Sequence, residues 1–428
     1  MAGPVSRVRI ESIAGGGDGV GHLKDGRVIF VPRTAPGDLA EVRITNRAKR
    51  WARGRVERIV EPSPDRREPP CVFADRCGGC ALEHLTYPAQ LAAKGRVIGD
   101  ALTRIAGIPT EPPEVTASPV TERYRNRVSF TLRRGGAGEV VAGFHHALDA
   151  SRIVDVDGRC LLPEEPVARA WDELRAAWGR DAKLLPSGAE LRLTLRGTLR
   201  GDVVLVVEGG GSPGRPEELL ERVPRLRSIW HRPGSTEAEP VLLAGEETVG
   251  EEWGGRTIEL GATAFLQVNR AAAALLEEYV VEQVGPASGI QAVDAYCGVG
   301  LYGRRMAAAG AQATGIESDP AAVAVANRGA SAGFEAVEGR VEKRLGEALP
   351  ADVVILNPPR GGLDAEVPAL LAATPPARIV YVSCDPATLA RDLKRLGAGF
   401  RITALRGFDL FPQTAHVETV ATLERSSA

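Results

Sequence analysis

From about residue 261 onward the sequence alternates strand-like and helix-like patterns, and this alternation restricts the fold more than any other feature. Ile290 to Ala295, Ala313 to Ile316, Asp352 to Leu356 and Ile379 to Val382 are short apolar runs rich in β-branched residues, separated by segments with helical spacing. Parallel strands need crossover connections, so the pattern predicts an open, doubly wound α/β sheet. The runs Phe400 to Arg406 and Val417 to Leu423 close it with a hairpin. Ligands of such sheets bind beyond the carboxyl ends of the strands. The residues at those ends are therefore the ones to read for chemistry.

The first end is Asp294-Ala295-Tyr296-Cys297-Gly298-Val299-Gly300. Gly298 and Gly300 allow close backbone approach to a nucleoside, but the third glycine of a dinucleotide fingerprint is missing. Glu317 closes the next strand about twenty positions on, where a carboxylate accepts ribose hydroxyls. Together these point to S-adenosylmethionine. Asn357-Pro358-Pro359-Arg360 is a stiff loop suited to a pocket wall. Cys384 lies between a strand and the helix that begins near Pro386, where helix-end amides are expected to lower a thiol's pKa and favour a nucleophilic thiolate. By residue type alone, a buried core cysteine is the commoner reading. Cys297, in the glycine loop, reads as a packing residue.

The remaining two thirds read as two further parts. Residues 1–62 hold short alternating runs broken by glycine turns, predicting an oligonucleotide-binding-type β-barrel. Between Glu41 and Arg58, seven basic residues, Lys49 and Arg50 among them, stand against two acidic ones, a patch able to bind phosphate or simply to be solvated. Residues 63–260 read as a mixed α+β region, with the helical segment near 83–114 able to pack with the C-terminal domain, which covers 261–428. Cys71, Cys77 and Cys80, with Cys160 downstream, suit one metal centre. Their spacing leaves zinc and a [4Fe–4S] cluster both open, and the three-plus-one pattern favours the cluster. Arg123-Tyr124-Arg125-Asn126-Arg127 interleaves cations with an aromatic, suiting RNA contact or a solvated strand face. No apolar run is long enough to cross a bilayer and no leader pattern opens the chain, so the expectation is a cytoplasmic protein, taken as a monomer, with reduced cysteines.

These motifs jointly resemble the RNA 5-methyluridine methyltransferases that carry a TRAM domain and an iron–sulfur cluster. The likeness runs through Gly19-Val-Gly21, the four cysteines, Arg123 to Asn126, Phe265-Leu266-Gln267-Val268-Asn269, Asp294 to Gly300, Asn357 to Gly361, Ser383 to Asp392 and Leu410 to Glu418. The resemblance implies Cys384 as the nucleophile that adds to uracil carbon 6 and Glu418 as the base that removes the carbon 5 proton. It implies that Gln267, Phe265, Asp294, Tyr296, Gly298, Gly300, Glu317 and Asn357 serve the cofactor. RNA is the partner, large ribosomal RNA first and transfer RNA second. Asn357 departs from the aspartate common in that family and also begins the motif of adenine amino-methyltransferases, leaving that reading and a non-catalytic RNA-binding one as alternatives.

Overall fold

The computed structural model describes residues 3–234, 239–253, 256–261, 266–330 and 332–426. The chain forms two compact units: residues 1–68, 81–119 and 271–428 make one, and residues 69–80 with 120–270 make the other.

In the first unit, β1 (Val5–Ile13), β2 (Gly19–His22), β3 (Val28–Val31), β4 (Leu39–Arg47) and β5 (Trp51–Glu61) close into a barrel in the order β1-β2-β3-β5-β4. Alternating residues such as Val8, Ile10, Ile29, Val31 and Val42 fill it, as a period of two requires. The same unit holds an eight-stranded sheet. Its order is Phe334–Glu338, Gln312–Glu317, Gln291–Ala295, Val353–Leu356, Arg378–Ser383, Glu418–Arg425, Phe400–Phe408 and Val115–Thr116. The first five strands are mutually parallel, and Glu418–Arg425 enters antiparallel between Arg378–Ser383 and Phe400–Phe408. Strand order reverses at Gln291–Ala295, which opens the crevice such sheets use for ligands. The sequence pattern locates neither Phe334–Glu338, a five-residue strand with two glutamates, nor the two-residue Val115–Thr116.

Helix α1 (Tyr87–Ala101) begins with Pro88 in its first turn, buries Gln90, Lys94 and Ile98, and is followed by one wider turn. Its Ala93 shares an apolar cluster with Ile13 and Ala35 of the barrel and with Leu82, Leu85 and Ala415. A Cβ on Gly17 would lie 2.8 Å from Ala81 Cβ and 3.4 Å from Ala415 Cβ. Only a glycine lets the barrel turn come this close, and its φ of +92° makes the same demand.

In the second unit, a seven-stranded sheet carries the helix Glu165–Ala177 on one face. Trp171, fully buried, stacks on Phe130 at 4.0 Å between ring centroids and donates its indole N–H to Val156 O at 2.7 Å. Among the described residues no helix is long and apolar enough to cross a membrane. Trp171→Ala is expected to lower the unfolding free energy of this unit by about 3–5 kcal/mol, read from urea denaturation followed by fluorescence.

Candidate active site

The site is built where four strand ends meet at the reversal of the sheet. After Ala295 the chain turns through Tyr296 (φ +63°), Gly298 (φ +55°) and Gly300 (φ +80°), three left-handed residues in five. Nothing lies within 4 Å of where a Cβ on Gly298 would stand, so the space beside that turn stays open. Gly300 and Gly303 press instead against Phe334, which a Cβ at either position would strike. Asp294, fully buried, accepts Gly303 N–H at 2.8 Å through one carboxylate oxygen. Its other oxygen is buried with no partner among the described residues. Burial, with Glu317 adding repulsion, pushes this carboxyl up to about 7. Such an orphaned acceptor beside an open glycine turn fits a ligand that brings a hydrogen-bond donor or a positive charge. Glu317 accepts N–H groups from Gly298 (3.0 Å), Ser318 (2.7 Å) and Asp319 (2.9 Å), which ties the glycine loop to the end of the next strand.

The second wall is Asn357 to Leu363. Asn357 N–H bonds Ala295 O at 3.2 Å, and the loop is held from behind by Asp392, a fully buried carboxylate. Asp392 accepts Leu363 N–H and Tyr381 O–H, both at 2.8 Å, and pairs with Arg391, whose guanidinium also reaches Gly361 O at 2.7 Å. Helix Pro386–Leu396 therefore fixes the loop opposite it. This role was missed in the sequence, although a charged residue on the same stripe as Leu389, Leu393 and Leu396 was a legible sign.

Cys384 directly follows strand Arg378–Ser383, and Asp385 caps the next helix by accepting Thr388 N–H at 2.8 Å. The last pair in the ladder to the neighbouring strand is Ser383 with Thr419, so Cys384 and Glu418 come next on either side. Glu418 is the largest charge acting on the Cys384 thiol. Burial first, and then Glu418, push that thiol up to about 11 against the pull of Arg360. The expected lowering at the helix terminus is thus reversed: desolvation and a neighbouring carboxylate raise the thiol, and Arg360 is the larger influence pulling it down. Glu418, fully interior, is itself pushed up to about 7 by burial, with Arg360 opposing. Arg360 faces both groups, a role its place in the sequence did not reveal.

In the second unit, Asn126 is buried, and its amide donates to Gln267 O at 3.0 Å while its own N–H bonds Val268 O at 2.9 Å. It therefore holds the Gln267 segment. Phe265 lies outside the described residues. Arg123 donates to Gly158 O at 3.0 Å, bracing the loop that carries Cys160. Arg125 donates to Tyr124 Oη at 3.3 Å, and Arg127 is half-buried, with burial first and then Arg192 and Arg125 disfavouring its charge. Cys71, Cys77 and Cys80 pack against the core cluster that contains buried Cys160. Burial, joined by Cys71 and Cys77, pushes the Cys160 thiol up to about 12. Four thiols in one small region are a suitable donor set for a metal cluster, although no three His, Cys, Asp or Glu side chains among the described residues are arranged around a single ion.

On the barrel, Arg43, Arg53, Arg55 and Arg58 pair with Glu57, Asp18, Glu57 and Glu41. The turn between β4 and β5 keeps Lys49 and Arg50 beside Trp51, which is 40 % exposed. An exposed aromatic beside two cations is the kind of surface on which bases can stack.

Because Glu418 holds its proton more tightly folded than unfolded, the stability tied to that proton is complete below its ordinary value of 4.5 and is lost as pH rises through about 7. Glu418→Gln is therefore expected to match the parent near pH 4 and to exceed it at pH 8 by on the order of 3 kcal/mol, compared by urea midpoints at both pH values.

Comparison with known proteins places the chain in a family. A family model described as tRNA (Uracil-5-)-methyltransferase matches residues 341–426, and a TRAM domain model matches residues 1–56. A protein of Gloeobacter violaceus named as an RNA methyltransferase is 36% identical over 100% of this chain and 98% of its own length. One of Halalkalibacterium halodurans, named likewise, is 32% identical over 98% and 97%. Among solved structures, the Pyrococcus abyssi tRNA (uracil-54, C5)-methyltransferase in complex with S-adenosyl-L-homocysteine superposes with a TM-score of 0.71 at 28% identity, covering 98% of this chain and 100% of that one. With its barrel, its reversed sheet and relatives matched end to end, the chain belongs to the RNA methyltransferase family of those relatives, with a TRAM domain at residues 1–56 and a tRNA (Uracil-5-)-methyltransferase family domain at residues 341–426.

Proposed function

We propose that the protein transfers a methyl group from S-adenosylmethionine to carbon 5 of a uridine in RNA, with Cys384 as nucleophile and Glu418 as base. The observation that carries this is the meeting of a thiol and a buried carboxylate at the end of one ladder, beside a nucleoside-type crevice. S-adenosylmethionine supplies an electrophilic methyl when bound along Asp294 to Gly300, with Tyr296, Glu317, Asn357, Gln267 and Phe265 assigned to hold it. Carbon 5 of uracil is a weak nucleophile. Sulfur addition at carbon 6 pushes an electron pair toward carbon 5, which then takes the methyl. Glu418 removes the carbon 5 proton, the electron pair reforms the double bond, and the thiolate leaves.

Burial holds the Cys384 thiol toward its protonated form, so it gives that proton to solvent as it attacks, and the ionised form of Glu418 is kept for the carbon 5 proton. An interior carboxyl poised near 7 suits a group that takes a proton and then returns it to solvent. The target base has to leave its stack to reach Cys384. Lys49, Arg50 and Trp51 on the barrel, and Arg125 and Arg127 on the second unit, are assigned to the RNA, with Arg123 and Asn126 supporting them from inside. Large ribosomal RNA is the first assignment, drawn from the barrel and the cysteine cluster together. Transfer RNA is the second, favoured by the likeness to the Pyrococcus abyssi tRNA enzyme. An amino-methyltransferase working from Asn357 is disfavoured by Arg360, which stands where those enzymes place a stacking aromatic. Cys71, Cys77, Cys80 and Cys160 are assigned to a [4Fe–4S] cluster that orders the loops around them.

Mass spectrometry of ribosomal and transfer RNA from a deletion strain and its complemented parent is expected to show 5-methyluridine missing from one RNA; unchanged levels in both would refute the reading. Complementation with Cys384→Ala is expected to leave the modification absent, whereas an amino-methyltransferase would keep its activity. Anaerobically purified protein is expected to be coloured and to carry about four irons per chain, both lost on Cys160→Ser.

A further inference from the structure

Glu418 is delivered by the segment Asp409 to Val417, which crosses between strands Phe400–Phe408 and Glu418–Arg425 without regular structure of its own. Irregular backbone normally lies at the surface, yet Asp409 and Leu410 are fully buried and Gln413 and Thr414 nearly so. Each interior polar group there needs a partner. Several of those partners come from the amino-terminal third of the chain, from α1 and the residues before it.

Lys94 Nζ donates to Asp409 Oδ1 at 2.5 Å and to Phe411 O at 3.1 Å. Gln90 meets Gln413 twice: its Nε2 donates to Gln413 Oε1 at 2.8 Å, and its Oε1 accepts Gln413 N–H at 2.9 Å. Arg67 Nη2 donates to the same Gln413 Oε1 at 2.9 Å, and Leu82 N–H bonds Gln413 O at 2.9 Å. Gln413 is held at φ +68°, a conformation costly for a non-glycine residue unless its surroundings enforce it. Lys94 is 1 % exposed and Asp409 is fully buried, and a pair at that depth gains little net stability over two apolar side chains. What the pair and the double amide contact supply is one unique position for the segment.

We propose that Lys94 and Gln90 are positioning residues for Glu418: they lock the segment that enters its strand, so that the carboxylate meets the carbon 5 proton in one geometry. The proposal rests on Glu418 acting as the base. A displacement of about 1 Å in a catalytic group is enough to cost roughly a hundredfold in rate. Neither residue touches the nucleophile, so thiol addition and methyl transfer should survive their loss while proton removal slows.

The test uses the full-length protein, methyl-labelled S-adenosylmethionine and total ribosomal plus transfer RNA from the deletion strain. The double variant Lys94→Met/Asp409→Leu removes both charges together and is expected to melt near the parent temperature. Its kcat is expected to fall at least tenfold with KM for RNA little changed, and a labelled protein–RNA adduct that resists denaturation should accumulate. Parental kcat, or a fall without adduct, would overturn the proposal. Gln90→Met, which strands no buried charge, gives the same reading if the double variant does not fold. Glu418→Gln is the control. If it turns over like the parent or traps no labelled adduct, the role given to Glu418 fails; if it traps adduct and the other variants do not, the positioning role alone fails.

Discussion

Six backbone pairs join strand Arg378–Ser383 to strand Glu418–Arg425, and this antiparallel ladder is the constraint on which the candidate chemistry depends. A ladder fixes register absolutely, because a slip of one residue would turn every side chain to the opposite face. One strand of the pair is followed directly by a thiol and the other begins with a carboxylate. The fold therefore brings together residues 34 positions apart in the chain. Around this ladder the remaining features act as walls: the glycine turn after Ala295, the stiff loop from Asn357, and Asp392 tying that loop to the helix behind Cys384.

The electrostatics follow from depth. Burial holds both Cys384 and Glu418 toward their neutral forms, and each ionised group repels the other. Arg360 is the cation that opposes both effects. A site of this kind favours one negative charge at a time. That suits a reaction in which sulfur must be anionic early and the carboxylate must accept a proton late.

Much of this was legible in the sequence because it is local. The strand–turn–helix around Cys384, the glycine turn and the alternating barrel strands each follow from periodicity and turn residues within a dozen positions. The family model and the full-length relatives support the same fold. What escaped the sequence was non-local. Nothing in Gln90 or Lys94 announces a partner more than 300 residues away, because helical spacing shows only that a side chain faces inward. The thiol's pKa was misjudged for the same reason: the helix terminus is visible in the sequence, whereas the depth of the cleft and the approach of Glu418 are properties of the folded chain. Asn126 reads as an RNA-facing polar residue between arginines, yet its amide is turned inward to a backbone carbonyl. Strand Phe334–Glu338 is too short and too acidic to show a clear period.

The contact of Gly17 with Ala81 and Ala415 has a consequence for how a target is chosen. The barrel turn packs against the very segment that carries Glu418 into place. On the proposed function, an RNA held at the barrel would present its nucleotides at a set offset from the thiol, so that a span along the folded RNA, much as in a caliper, would help to choose the target.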